Sequence, residues 1–108
     1  DLLFAKGKYL KVSGYSLVYI GQANKSANGL RVGFSVGKKN QALAVDRNKT
    51  KRLMREAFRV CAKDFLAINA AHYNIMFVCV EKAPPDFNGL LGKIKSLLLS
   101  FSEAIKNV

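Results

Sequence analysis

A chain of 108 residues corresponds to about one domain, long enough to bury a core without disulfides or metals. Half of the residues are apolar and 23% are charged, which excludes a disordered chain. The balance of charge stands out: 18 Lys and Arg against 7 Asp and Glu give +11. Folding does not require such an excess, because like charges repel, so it points to a polyanionic partner, most often nucleic acid. Two cysteines, Cys61 and Cys79, exclude a disulfide scaffold and read as buried thiols in a reducing cytoplasm. His72 is the single histidine, and no Cys/His cluster has zinc spacing. No apolar run is long enough to span a bilayer, and no signal peptide is visible at the start.

In chain order, Leu2 to Ala5 read as the last turn of a helix stopped near Gly7. Tyr9 to Val12 and Ser16 to Ile20 read as extended segments, separated or kinked at Ser13-Gly14. In the second, Tyr15, Leu17 and Tyr19 share one face, and Ser16, Val18 and Ile20 the other. A polar turn follows from Gly21 to Gly29. Leu30 to Val36 alternates, with Val32, Phe34 and Val36 opposite Arg31, Gly33 and Ser35, as a half-buried strand does.

From Asp46 to about Ile68 the period becomes helical. Thr50, Leu53, Met54, Ala57, Phe58, Val60, Cys61 and Ile68 form the apolar arc, and Asp46 or Asn48 is the expected cap. Asn74 to Val80 is nearly continuous in apolar residues and predicts an interior strand. A final helix fits Asn88 to Lys106, with Leu90, Leu91, Ile94, Leu97, Leu98, Phe101 and Ile105 on one stripe and Lys93 and Lys95 facing water. The expected architecture is α+β: a four-stranded α/β sandwich with helices packed on a sheet. Within it, the long helix links two strands that are parallel if adjacent.

The segment RNKTKRLMREAFR carries six cations, Arg47, Lys49, Lys51, Arg52, Arg55 and Arg59, and one anion, Glu56. On a helix the cations and Asn48 fill one arc opposite the apolar arc. Arg47, Lys51, Arg55 and Arg59 form a ridge with a step of about 6 Å. A solvated charged face would explain an isolated run of this kind. Six cations on one arc of a +11 chain favour phosphate binding instead. Lys38 and Lys39 extend the patch, and Arg31 can join it. Tyr15 and Tyr19 are ambiguous between core residues and a platform on which bases stack.

These residues carry a resemblance to a known family. Val32-Gly33-Phe34-Ser35-Val36, then Lys38-Lys39, then Ala44-Val45-Asp46-Arg47-Asn48-Lys49-Thr50-Lys51-Arg52 and on to Arg55-Glu56 resemble the signature of the bacterial ribonuclease P protein subunit. Lys49 departs from it, since the family usually has Arg there; charge is kept and the bidentate geometry is lost. The resemblance extends loosely over the whole chain, which reads as a single RNA-binding domain of 1–108. The family's leading basic tail and part of its first helix are expected to be missing.

The resemblance implies a sandwich similar to a ribosomal protein domain, with a left-handed β-α-β crossover at the basic helix. It implies two RNA partners, ribonuclease P RNA and the 5′ leader of precursor tRNA, whose removal the protein assists. The leader would lie in a cleft between the sheet and the first helix. By position, Phe4 and Tyr19 match the cleft aromatics, with Tyr15 beside them, and Arg47, Asn48, Lys51, Arg52 and Arg55 match the motif residues near RNA.

The residues offer no catalytic set of their own. The carboxylates Asp1, Asp46, Asp64, Asp86, Glu56, Glu81 and Glu103 fall on different elements, whereas a metal-dependent nuclease needs them convergent. His72 has no second histidine with which to form an acid–base pair. The expectation is an enzyme subunit with no catalytic residue and no cofactor of its own, Mg²⁺ being required by the RNA. The alternative is a small basic ribosomal protein or another structural RNA-binding protein. A membrane-surface role is disfavoured because the apolar helix face is needed for the core.

Overall fold

The computed structural model describes residues 7–21, 31–65 and 73–106. In chain order they form β1 (Lys8–Val12), β2 (Tyr15–Gly21), β3 (Arg31–Val36), α1 (Ala44–Phe65), β4 (Tyr73–Cys79) and α2 (Phe87–Lys106). The predicted first helix with Phe4, most of the polar turn, Leu30, Ile68 and His72 lie outside the described residues.

The strands make one four-stranded sheet in the order β1-β2-β4-β3. β2 pairs antiparallel with β1 and β4, and β3 pairs parallel with β4. The apolar run of β4 therefore sits in the interior, as its composition requires. The expected β-α-β unit is present as β3, α1 and β4 in adjacent parallel strands. Ser13 and Gly14 form the tight turn between β1 and β2, and Gly14 holds a φ of 83°, a region that side chains disfavour.

Both helices pack on one face of the sheet and against each other. The register builds this face from three rows: Tyr19, Ile75 and Val32; then Leu10, Leu17, Phe77 and Phe34; then Val12, Tyr15, Cys79 and Val36. Met54, Ala57 and Cys61 from α1, and Leu90, Ile94, Leu97, Leu98, Phe101 and Ile105 from α2, close over it.

Three local expectations change. α1 starts two residues before Asp46, because the N–H groups of Asp46 and Arg47 both donate to the Leu43 carbonyl at 3.1 Å. Asp46 thus lies inside the first turn, where its charge complements the helix dipole, and neither it nor Asn48 is the cap. Val60 falls at the margin of the predicted apolar arc and is 52% exposed. Lys93 does not simply face water: its ammonium donates to the Ser13 carbonyl at 2.8 Å and lies 5.4 Å from the Tyr15 ring centroid.

Candidate nucleic-acid interface

The long basic helix is positioned from its N-terminal end. Gln41 precedes α1 and is 2% exposed. Its Nε2 donates to the Glu81 carbonyl at 3.1 Å, and its Oε1 accepts from Thr50 Oγ1 at 2.8 Å. One side chain thereby fastens the second turn of α1 to the segment leaving β4. Asn40 adds a parallel tie, its Nδ2 donating to the Val80 carbonyl at 3.0 Å. Sequence reading passed over Gln41, since one glutamine in a loop carries no periodic signal.

The ridge is not uniform. Arg47 Nη1 donates to the carbonyls of Gln41 at 2.9 Å and Ala42 at 2.8 Å, so this guanidinium braces the loop before its own helix. At the other end, Arg59 donates to Glu56 at 2.7 Å, one helical turn back. That hydrogen bond, with the carboxylate's charge, pushes the Arg59 pKa above its ordinary value. Between these two ends, Lys49, Lys51 and Arg52 have no ion-pair partner among the described residues. Arg55 is exposed and lies 6.0 Å from the centroid of the Phe34 ring on β3.

A surface depression of about 480 Å³ follows this part of the helix, lined by Val45, Asp46, Asn48, Lys49, Lys51, Arg52 and Arg55. Four cations and one carboxylate line it. Its chemistry suits an anion carrying several spaced charges, such as a polyphosphate backbone.

The remaining predicted residues divide by face. Lys38 and Lys39 are exposed in the turn after β3, near the start of α1. Arg31 sits at the opposite end of β3, about 17 Å of strand away, on the face turned from the helices. It shares the edge strand with the basic helix and not its face.

Tyr15 and Tyr19 are 2% and 9% exposed beneath α2. Tyr19 packs edge-on to Phe101 at 5.2 Å and to Tyr73 at 6.0 Å. The base-stacking reading of both tyrosines therefore gives way to the core reading: alternation along β2 points them at the helices, where no base can reach. The Tyr15 hydroxyl is buried without a hydrogen-bond partner; the Cys79 thiol beside it is a weakly polar neighbour that does not satisfy it. Burial raises the pKa of both groups. Among the described residues no three His, Cys, Asp or Glu side chains gather as metal ligands would, and no helix is long and apolar enough to cross a membrane.

A family model described as Ribonuclease P matches residues 1–102. The chain belongs to the ribonuclease P protein family. It is 32% identical to the ribonuclease P protein component of Porphyromonas gingivalis, over 99% of this chain and 84% of that one. It is 31% identical to the component from Chlorobium phaeobacteroides, over 89% of this chain and 75% of that one. The solved ribonuclease P protein of Thermotoga maritima superposes with a TM-score of 0.73 at 26% identity, covering 92% of this chain and 87% of that one. The fold and the family thus agree with the motif at Lys38 to Glu56. The chain is a protein subunit of the bacterial tRNA-processing ribonucleoprotein, and the ribosomal alternative is not favoured.

Proposed function

We propose that this subunit works in the bacterial cytoplasm by binding ribonuclease P RNA and the 5′ leader of precursor tRNA, while the RNA and its Mg²⁺ ions carry out the hydrolysis. The observation behind this reading is the unpaired centre of the ridge. Asn48, Lys49, Lys51, Arg52 and Arg55 line one depression, and the cations among them repel each other until an anion arrives. Phosphates of the two RNAs supply it, and the protein lowers the repulsion between them. Arg47 acts by holding the loop before α1, and Arg59 contributes at the far end once it leaves Glu56. Lys38 and Lys39 extend the contact beyond the helix start. Phe4 is proposed to line the leader cleft together with the sheet face turned away from α1 and α2.

Reconstitution tests the proposal. The protein, a ribonuclease P RNA and a 5′-extended precursor tRNA are combined at low Mg²⁺, with each component omitted in turn. Leader removal should require the RNA and be accelerated by the protein. Cleavage that survives removal of the ribonuclease P RNA would refute the division of labour.

A further inference from the structure

The cations of α1 are concentrated on the part of the helix that the apolar core does not reach. The first buried apolar residue of α1 is Met54, and Leu53 before it is only partly buried. Over residues 44–52 the apolar side chains, Ala44 and Val45, are exposed. Four of the six cations of the basic segment, Arg47, Lys49, Lys51 and Arg52, fall in this stretch. Thr50 is its one buried residue, and no part of it is exposed.

Thr50 rests on polar groups. Its Oγ1 donates to Gln41 Oε1 at 2.8 Å, and Gln41 Nε2 donates in turn to the Glu81 carbonyl at 3.1 Å. Asn40 Nδ2 donates to the preceding carbonyl, that of Val80, at 3.0 Å. The Arg47 guanidinium closes the bracket from the helix side, on the carbonyls of Gln41 and Ala42. The cationic turns are thus seated on hydrogen bonds, whereas Met54, Ala57 and Cys61 seat the next turns on the core. Apolar contacts are non-directional and let a helix roll in its seat; a hydrogen bond weakens steeply once its angle is lost. Lys49 and Lys51 stand about 100° to either side of Thr50 around the helix axis, so fixing Thr50 fixes the direction of both.

We infer that Gln41 is a positioning residue for RNA binding: through Thr50 it holds the cationic turns of α1 in the rotation that phosphates meet. This rests on the reading of the ridge as a phosphate site. Gln41 is 2% exposed, so it acts through the helix and not by touching RNA. Its contribution is made before binding. It orders cations that repel each other and that the RNA would otherwise have to order. Losing the tie therefore weakens binding without removing a charge.

The test measures the affinity of the full chain for ribonuclease P RNA over a series of salt concentrations, where circular dichroism shows each variant folded. Gln41→Leu combined with Thr50→Val exchanges the polar seat for an apolar one of similar volume. Removing both partners together leaves neither side chain orphaned, so the fold is kept. Affinity should fall about 5- to 30-fold, the cost of ordering about one residue of backbone. The slope of log K against log salt should stay at the wild-type value, since no cation is lost. Thr50→Ser keeps the hydroxyl bond and should bind as wild type does. Thr50→Val alone breaks the same bond and is read in the same way if the double variant does not fold. Wild-type affinity in the folded variant would overturn the inference and leave Gln41 a structural role only. A slope lowered as far as in Lys51→Ala would also overturn it, because a phosphate contact would then be missing altogether. A wild-type slope in Lys51→Ala itself would overturn the reading of the ridge, and the role of Gln41 with it.

Discussion

Replacing Gln41 by Ala tests whether the basic helix is held by that single buried side chain. The substitution removes the bond to the Glu81 carbonyl and the bond from Thr50 Oγ1. Thr50 is fully buried, so its hydroxyl is left without water. An orphaned buried polar group costs about 1–3 kcal/mol. Thr50 recovers part of this by turning its hydroxyl to the carbonyl four residues back, as helical threonines do. The Glu81 carbonyl lies in a half-buried segment and can rehydrate, which lowers its share. With the small void added, the expected loss is about 2–4 kcal/mol, a fall in Tm of roughly 10–20 °C for a domain of this size. Thermal unfolding by circular dichroism measures it. Thr50→Val then completes a double-mutant cycle. Because the valine has no hydroxyl to satisfy, Gln41→Ala should cost less in the Thr50→Val background, by about 1 kcal/mol. Strict additivity, or a Tm shift below about 3 °C for Gln41→Ala, would show that Gln41 does not fasten the helix.

Two further outcomes follow from the same contacts. Lys51→Ala and Arg55→Ala should each reduce the slope of log K against log salt for RNA binding by about 0.7 on a single strand or 0.9 on a duplex, with Tm nearly unchanged. Arg47→Ala should instead lower Tm, costing about 1 kcal/mol for its two bonds to loop carbonyls. Tyr15 makes stability fall at alkaline pH. Burial raises its folded pKa above the unfolded value near 10, so its contribution is whole below that pH and is lost as pH rises through the folded value. Cys79, raised in the same way, starts the decline at a lower pH. A urea titration from pH 8 to 11 should show the decline flattened in Tyr15→Phe. That variant should also be no less stable than wild type at neutral pH, since it removes an unsatisfied hydroxyl.

Periodicity made most of the fold legible. The strand alternation of residues 31–36 and the seven-residue apolar stripe of α2 each admit one face toward a core, and the structure uses those faces. Helix starts were less legible, because a cap is set by backbone geometry. Leu43 accepts the first bonds of α1 through its carbonyl, which any residue can do. Asp86 caps α2 through its side chain, with Gly89 N–H donating to Oδ2 at 3.1 Å. That capping residue was present in the sequence, hidden among the turn signals of Pro84 and Pro85.

The site was legible in its charge and illegible in its division of labour. Arg47, Lys51, Arg55 and Arg59 are equivalent under a four-residue period, and spacing alone assigns them one role. Their equivalence is broken by partners far or irregularly placed in sequence. Carbonyls at Gln41 and Ala42 engage the first arginine, Glu56 engages the last, and the edge ring of Phe34 lies under the third. The tyrosines fail to separate for a similar reason. Tyr9, Tyr15 and Tyr19 all occur in β-rich sequence, and all three lie at odd positions, yet the two-residue turn at Ser13-Gly14 reverses the chain between the first and the others. In the paired register Tyr9 meets Val18, whereas Tyr15 meets Val12 and Tyr19 meets Lys8. Cross-strand partners share a face, so the turn sends Tyr9 outward and the other two beneath the helices. A one-residue slip in that pairing would put all three tyrosines on one face, which places their separation in the Ser13-Gly14 turn and not in the tyrosines themselves.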